Sequence, residues 1–332
     1  MDDRRPRGTI YSVAERAGVS ISTVSLAVNH PERVGAETRR RVVQAARELG
    51  YRPLSKDGVT RGGRTAGIAV VAPFSSYPSY GRRLAGILDR LRETSIDVIV
   101  HDVASAAAAD QPLLDALPVR AGIDGVVLMG VPLTREAHDA LTASAPVVMV
   151  DVVDAPGSSV RTDDRGAGTL LGRHLLERGH RNAVFLHEEQ RSPAYTSGGM
   201  LRVEGLTASL QDGGGRLRTL QIDDLEDPAA YGAALDRVAE DSSVTAVVGN
   251  HELIAVGALA ASRTRSDQRV AVAGFDDSPL ATVLGLTTVR QPFEESGRIA
   301  AELMLDLLAG RTGTRRVELT GDLMVRASTQ TP

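Results

Sequence analysis

The chain has 332 residues, no cysteine, no tryptophan and a net charge of −4. Without cysteine, disulfides, thiolate metal sites and thiol catalysis are excluded, and the length exceeds one compact core, so a small domain beside a larger one is expected. The opening MDDRRPRGT has no apolar signal core, and no run approaches about 18 uninterrupted apolar residues, so a cytoplasmic protein with neither export nor membrane insertion is expected.

Charge is split along the chain: residues 1–64 hold thirteen Lys or Arg against seven Asp or Glu, a balance of +6, while the remainder balances to −10. A basic head of this kind is the electrostatic footprint of a phosphate-binding module. Within it, TIYSVAERAGVSISTVSLAVN (9–29) predicts two short helices joined by a tight turn. Thr9 and Ser20 stand where a hydroxyl caps a new helix. Ala14 is the small residue needed where two helices cross, Gly18 tolerates a left-handed turn, and Val24 is a branched apolar plug. GAETRRRVVQAARELGYRP (35–53) predicts a third, amphipathic helix with Val42, Val43, Ala46 and Leu49 on one face, closed by Gly50 and Pro53.

After LSKDGVTRGG (54–63), apolar runs alternate with helical segments: GIAVVAP, IDVIVH, DGVVLMG, PVVMVD, NAVFLH, LRTLQI, VTAVVGN and VAVAGFDD. Continuous hydrophobicity predicts strands covered on both faces, and the intervening helices predict crossovers in parallel sheets, hence a doubly wound α/β body. Eight strands with a break near 155–163 predict two similar lobes, with the chain crossing back near 290. Ligands of such sheets sit beyond the carboxyl ends of the strands. That rule singles out Asp151, Asn250 and Asp276, with Arg202 opening the helix LRVEGLTASL. Asn250 and Asp277 also suit helix caps. The carboxylate and amide oxygens accept from hydroxyls, while Arg202 and the Asn250 amide donate.

Other features argue against catalysis. His180, in ERGH, reads as a structural turn histidine without a serine or carboxylate spaced to activate it. DGGG at 212–215 ends a helix instead of opening one after a strand, so it is a loop and not a phosphate cradle. No enzyme activity, cofactor or metal is expected.

The run VAERAGVSISTVSLAVNHPERVGAETRRRVVQAARELGYRP resembles the headpiece of the LacI/GalR family of bacterial transcription regulators. The likeness continues through PVVMVD, GTLLGRHLLERGHRNAVFL, RVEG, VVGN, AGFDD and LTTVRQPFEESGRIAAELMLDLLAG to LMVRAST. It implies an α/β protein with an N-terminal three-helix helix-turn-helix headpiece (8–53), a hinge (54–65) and a bilobed body of periplasmic-binding-protein type (66–328). Lobe 1 would span about 66–157 and 291–310, and lobe 2 about 158–290 and 311–328. The function implied is that of a repressor on double-stranded DNA with a pseudo-palindromic operator. Its affinity would change with a small effector, a sugar or derivative, bound between the lobes. The chain stops four residues after Ser328 without a leucine-heptad extension, so a homodimer is expected.

The resemblance also assigns residues. Helix 20–29 would enter the major groove with Ile21, Ser22 and Leu26 facing bases, while Thr9, Tyr11, Ser20, Thr23, Asn29, Arg33 and Thr38 anchor phosphates. Family members commonly carry Arg after TVS, where this chain has Leu26, which removes a bidentate guanine contact and leaves apolar contact with a thymine methyl. The hinge also departs from the pattern: Gly58, Gly62 and Gly63 are poor helix formers, and the leucine that family members wedge into the minor groove falls at Thr60. Val59 could take that role. Otherwise Lys56, Arg61 and Arg64 make phosphate contacts from a flexible linker. For the effector, Asp151, Arg202, Asn250 and Asp276 are joined by Phe74, Gln291 and Phe293, although DDLEDP stands where many members carry an aromatic after the LRTLQI strand. A body controlled by a protein partner or a non-sugar metabolite remains an alternative, as does, more remotely, a solute-binding protein.

Overall fold

The computed structural model describes residues 8–51, 66–103, 112–120, 122–189, 196–264 and 270–330. The hinge residues Val59, Thr60 and Arg61 lie outside them. Three helices, α1 (Ile10–Ala17), α2 (Ile21–Asn29) and α3 (Ala36–Glu48), form the headpiece, with a 3-10 turn at Pro31–Arg33. Val13, Ala14, Ala17, Val24, Ala27, Val28, Val42 and Ala46 belong to its core, so Ala14 and Val24 are both buried in it as their spacing required. Leu49 packs at the edge of this core.

The body continues as β1 (Ala66–Ala72), α4 (Ser79–Leu91), β2 (Ile96–Asp102), α5 (Pro112–Ala116), a 3-10 turn at Leu117–Val119, β3 (Gly125–Met129), α6 (Arg135–Thr142), β4 (Val147–Val150) and β5 (Ser158–Thr162). Then follow α7 (Asp164–Glu177), β6 (Asn182–His187), α8 (Gly198–Asp212), β7 (Arg216–Gln221), α9 (Pro228–Ala239), β8 (Val244–Gly249), α10 (Glu252–Arg263) and β9 (Ala271–Asp276). The chain ends in α11 (Pro279–Leu284), β10 (Thr287–Arg290), α12 (Phe293–Leu308), β11 (Arg316–Leu319) and β12 (Asp322–Met324). One sheet has the order β11-β5-β4-β3-β1-β2 and the other β12-β10-β9-β8-β6-β7. The central pairings are parallel and β12 runs antiparallel to β10. All eight apolar runs are strands.

The contacts divide the chain into two units, one of residues up to Val160 with Phe293–Val317, the other of Arg161–Pro292 with Glu318 onward. The first contains the headpiece and lobe 1, the second is lobe 2. The divisions fall inside β5 and β11. SSVRT reads as a break because it is short and polar, yet Ser158 and Ser159 are buried and the strand pairs with β4. The Ser158 hydroxyl accepts from the Arg315 amide, which satisfies a buried polar group that sequence hydrophobicity counts against a strand.

Both lobes bring two helices into close approach with a pair of glycines. A Cβ at Gly86 of α4 would sit 1.9 Å from the Glu294 carbonyl oxygen, and one at Gly297 of α12 would sit 1.9 Å from that of Arg83. In lobe 2, Gly168 of α7 and Gly205 of α8 face Arg202 O and Arg165 O at 2.1 and 2.0 Å in the same way. Any side chain at these positions would push the helices apart. Each contact carries an arginine, Arg83 in lobe 1 and Arg202 in lobe 2, and these two residues organise the sites described next.

Candidate nucleic-acid interface and effector residues

The headpiece interface begins with its caps. Thr9 Oγ1 accepts from the Ser12 amide at 3.2 Å while the Thr9 amide donates to Ser12 Oγ at 2.8 Å, a reciprocal capping box built with serine at the third position. Gly18 takes a φ of 63°, the left-handed conformation the turn demands, and the Arg41 guanidinium donates to the Ala17 carbonyl behind it. Ser20 Oγ accepts from the Thr23 amide at 3.1 Å and lies 2.9 Å from Thr23 Oγ1. These caps fix where α2 starts, and therefore which side chains lie along its outer face. Ile21 is 41% and Leu26 37% exposed, Ser22 is exposed beside them, and the packing residues Val24, Ala27 and Val28 face inward.

The phosphate-anchor candidates lie at the starts of α1 and α2, at the end of α2 and the turn after it, and in the first turn of α3. Thr9, Tyr11, Ser20, Asn29 and Arg33 are exposed, while Thr23 and Thr38 are half-buried. Asn29 Nδ2 donates back to Ser25 O at 3.0 Å, and Arg33 Nε stands 3.8 Å from the exposed Glu32.

In lobe 1 the carboxyl end of β4 carries Asp151, whose φ of 52° turns the chain out of the strand. Its carboxylate is paired with the Arg83 guanidinium, which is 4% exposed. Arg83 lies 4.1 Å over the Phe293 ring and 5.3 Å over that of Tyr80. Phe293, which the sequence left equally open to a cleft position or to core packing, is 1% exposed, and Arg82 also lies over its ring at 5.0 Å. It is a packing platform for arginine in lobe 1. Phe74 is half-buried in the turn after β1.

Lobe 2 centres on Arg202. Its Nε donates to Asp164 Oδ1 at 2.8 Å, its guanidinium donates to the Asn250 carbonyl, and it lies 4.7 Å over the buried Phe275 ring. Gln291, 1% exposed, donates from Nε2 to the same Asp164 oxygen at 3.1 Å, so it braces the pair. The Asn250 amide donates to Glu188 Oε2 at 3.0 Å, and His251 Nε2 stands 3.7 Å from that oxygen. Asp276, with a φ of 97°, accepts from the Glu252 amide at 3.3 Å.

Several expectations change here. Asp276, and not Asn250 or Asp277, serves the start of α10, whose N-cap is His251. Asp277 pairs with Arg290 and Arg326, each at 2.7 Å, and Ser278 caps α11. Arg202 lies a turn inside α8, which opens after the Ser197 cap. Sequence reasoning passed over Arg83, Asp164 and Glu188, none of which stands in a motif. A carboxylate at the start of the GTLLG helix was the one signal available for Asp164. His180 is a turn residue as expected, 2.9 Å from Thr245 Oγ1, its pKa lowered by burial.

The lacI family model of bacterial regulatory proteins matches residues 9–54, a segment that includes the three helices of the headpiece, and a periplasmic binding protein-like domain model matches residues 173–329. The HTH-type transcriptional repressor PurR of Erwinia tasmaniensis is 30% identical over 338 residues, which covers 96% of each chain. The chain belongs to the lacI family of bacterial regulatory proteins. The HTH-type transcriptional regulator DegA of Bacillus subtilis is 28% identical across 97% of this chain and 98% of its own. A solved structure described as a transcriptional regulator CelR-cellobiose complex superposes with a TM-score of 0.65 at 28% identity, covering 97% of this chain and all of that one. As a lacI-family member this protein is a DNA-binding transcription regulator, and its headpiece is the DNA-reading part. No helix among the described residues is long and apolar enough to cross a membrane.

Proposed function

We propose that this protein is a cytoplasmic repressor that binds a pseudo-palindromic operator as a homodimer and changes its affinity when a small polyhydroxylated effector, a sugar or sugar derivative, engages residues at the carboxyl ends of the strands. The observation that carries this reading is the Arg202 node: a guanidinium stacked on Phe275, braced by Asp164 and Gln291, beside Asn250 and Asp276. Braced polar groups of both signs select ligands that match each donor and acceptor, because an unmatched group costs its desolvation. Asp151, held by Arg83, offers a second acceptor in lobe 1, and Phe74 stands in the turn after β1. The relative solved with cellobiose supports a sugar of this kind. Ile21, Ser22 and Leu26 read bases, and the hydroxyls and cations around them hold phosphates.

The homodimer is supported by apolar side chains left exposed on the body: Leu88 of α4 in lobe 1, and Leu253, Leu280 and Val283 of α10 and α11 in lobe 2. Val283 is 81% exposed.

The test is fluorescence anisotropy on the DNA upstream of the protein's own gene, with and without a panel of sugars that includes cellobiose. Binding at low salt that weakens on addition of one sugar supports the reading, and Arg202→Met should abolish that response while leaving DNA affinity intact. DNA binding indifferent to every sugar would overturn the effector assignment, and no binding at low salt would overturn the operator.

A further inference from the structure

Residues 112–120 of lobe 1 serve the headpiece as well as their own sheet. Asp115 Oδ2 accepts from Arg39 Nε of α3 at 2.8 Å. Arg120 donates from Nε to Val28 O at 3.1 Å and from Nη2 to Asn29 O at 3.0 Å. Val119, 1% exposed, belongs to the same apolar core as Val13, Val24 and Val42. Arg47 of α3 donates to the Ala140 carbonyl at the end of α6.

Each contact supplies something the headpiece lacks alone. An α-helix leaves its last carbonyls without intrahelical partners and carries partial negative charge there. In α2, the nine-residue reading helix, two of those carbonyls are satisfied by a cation 92 residues away in sequence. Arg39 is 2% exposed and its Nη1 donates to Val34 O at 3.0 Å and Pro31 O at 3.3 Å. The charge this buries is balanced by Asp115. A domain this small has little core to spare, and Val119 adds to it. The reading face stays open throughout, with Ile21 and Leu26 exposed. The contact therefore orients the headpiece without masking it.

We propose that Asp115 and Arg120 are positioning residues for DNA reading: the 112–120 segment grips the C-terminal end of α2 and the flank of α3, so lobe 1 sets the direction in which the reading helix points. Neither residue touches DNA. A dimer built this way presents its two reading helices at one separation, and it accepts operators with one half-site spacing. The segment gives lobe 1 a grip on the headpiece that does not pass through residues 54–65. The spacing consequence rests on the homodimer proposed above.

The experiment uses the full chain as wild type, Arg120→Met, Arg120→Lys and Asp115→Ala/Arg120→Met. Half-sites are first obtained by selection from random DNA, then joined with central spacers lengthened or shortened one base pair at a time. Wild type is expected to prefer one spacing by about tenfold or more. The double variant should lose that preference while its affinity for an isolated half-site stays within about twofold, and Arg120→Lys should retain most of it. Hydrogen exchange is measured on the same proteins without DNA, and the α2 and α3 amides should exchange about tenfold faster in the double variant. Retained spacing preference with unchanged exchange overturns the proposal. So does an equal loss on the isolated half-site, which reduces the segment to a support of headpiece stability. A wild type that sediments as a monomer and shows no spacing preference removes the dimer reading instead, and exchange at α2 and α3 then decides the grip by itself.

Discussion

Arg83 and Asp151 form an ion pair inside lobe 1, with side-chain exposures of 4% and 16%, and the arginine is stacked on Phe293. Lobe 2 repeats the arrangement with Arg202, Asp164 and Phe275. A buried charge stripped of its partner is costly, so Asp151→Asn should destabilise the fold by about 3–5 kcal/mol. Asparagine tolerates the left-handed backbone at this position, so the loss reports the charge and not the φ of 52°. Arg83→Met combined with Asp151→Leu should recover much of it, because apolar side chains of similar volume replace a buried pair at little cost. Urea denaturation of the three proteins checks this. Equal stability of Asp151→Asn and wild type would contradict it.

Ser20→Ala removes the hydroxyl that accepts from the Thr23 amide at 3.1 Å. Loss of such a cap costs about 1 kcal/mol. The headpiece should unfold at lower denaturant concentration and operator affinity should fall, read by circular dichroism and by anisotropy on the same samples.

Leu26 is 37% exposed on the reading helix, and the guanidinium it lacks would grip a guanine through two hydrogen bonds. Leu26→Arg should raise preference for guanine at one position of each half-site by about 1–3 kcal/mol. Selection from random DNA should return that guanine for the variant, and a base indifferent to guanine for wild type. An invariant guanine selected by wild type itself would contradict the expectation.

Acid should destabilise lobe 2 through its buried histidines. Burial lowers the pKa of His180 and of His174, the latter helped by Arg178, so both stay neutral in the fold at pH values where the unfolded chain has begun to protonate near 6.5. The unfolded state then binds more protons, and stability falls as pH drops below about 6.5 towards the folded pKa values. His180→Gln should flatten that slope in thermal melts taken between pH 7 and pH 5. An unchanged slope would exclude His180 as a contributor.

Val283, 81% exposed on α11, should matter only in the assembly. Val283→Asp should weaken dimer formation in sedimentation, with little change in the melting of the monomer.

Much of this was legible in sequence because it depends on near neighbours. Thr9 and Ser20 cap amides three residues on, and Gly18 had to be left-handed for its turn. The eight apolar runs are strands because covering on both faces leaves continuous hydrophobicity. Of the site, the strand ends Asp151, Asn250 and Asp276 could be named from the carboxyl-end rule alone. Their partners could not. Arg83 is 68 positions from Asp151, and its neighbours along α4 include other arginines with quite different roles: Arg82 pairs with Glu294 and Arg90 with Glu302. Phe293 could equally have been a stacking surface or core, and only its burial under Arg82 and Arg83 decides for core.

By itself the sequence determined the headpiece, the eight apolar strands and the membership of a DNA-binding regulator family, since local hydrogen bonds, turn conformation and hydrophobic period act over a few residues. Only the tertiary structure decided which charges are paired, that β5 joins the first sheet and that Arg120 closes the reading helix. Those outcomes depend on desolvation, which is set by whatever the fold brings alongside a group, and no spacing along the chain encodes it.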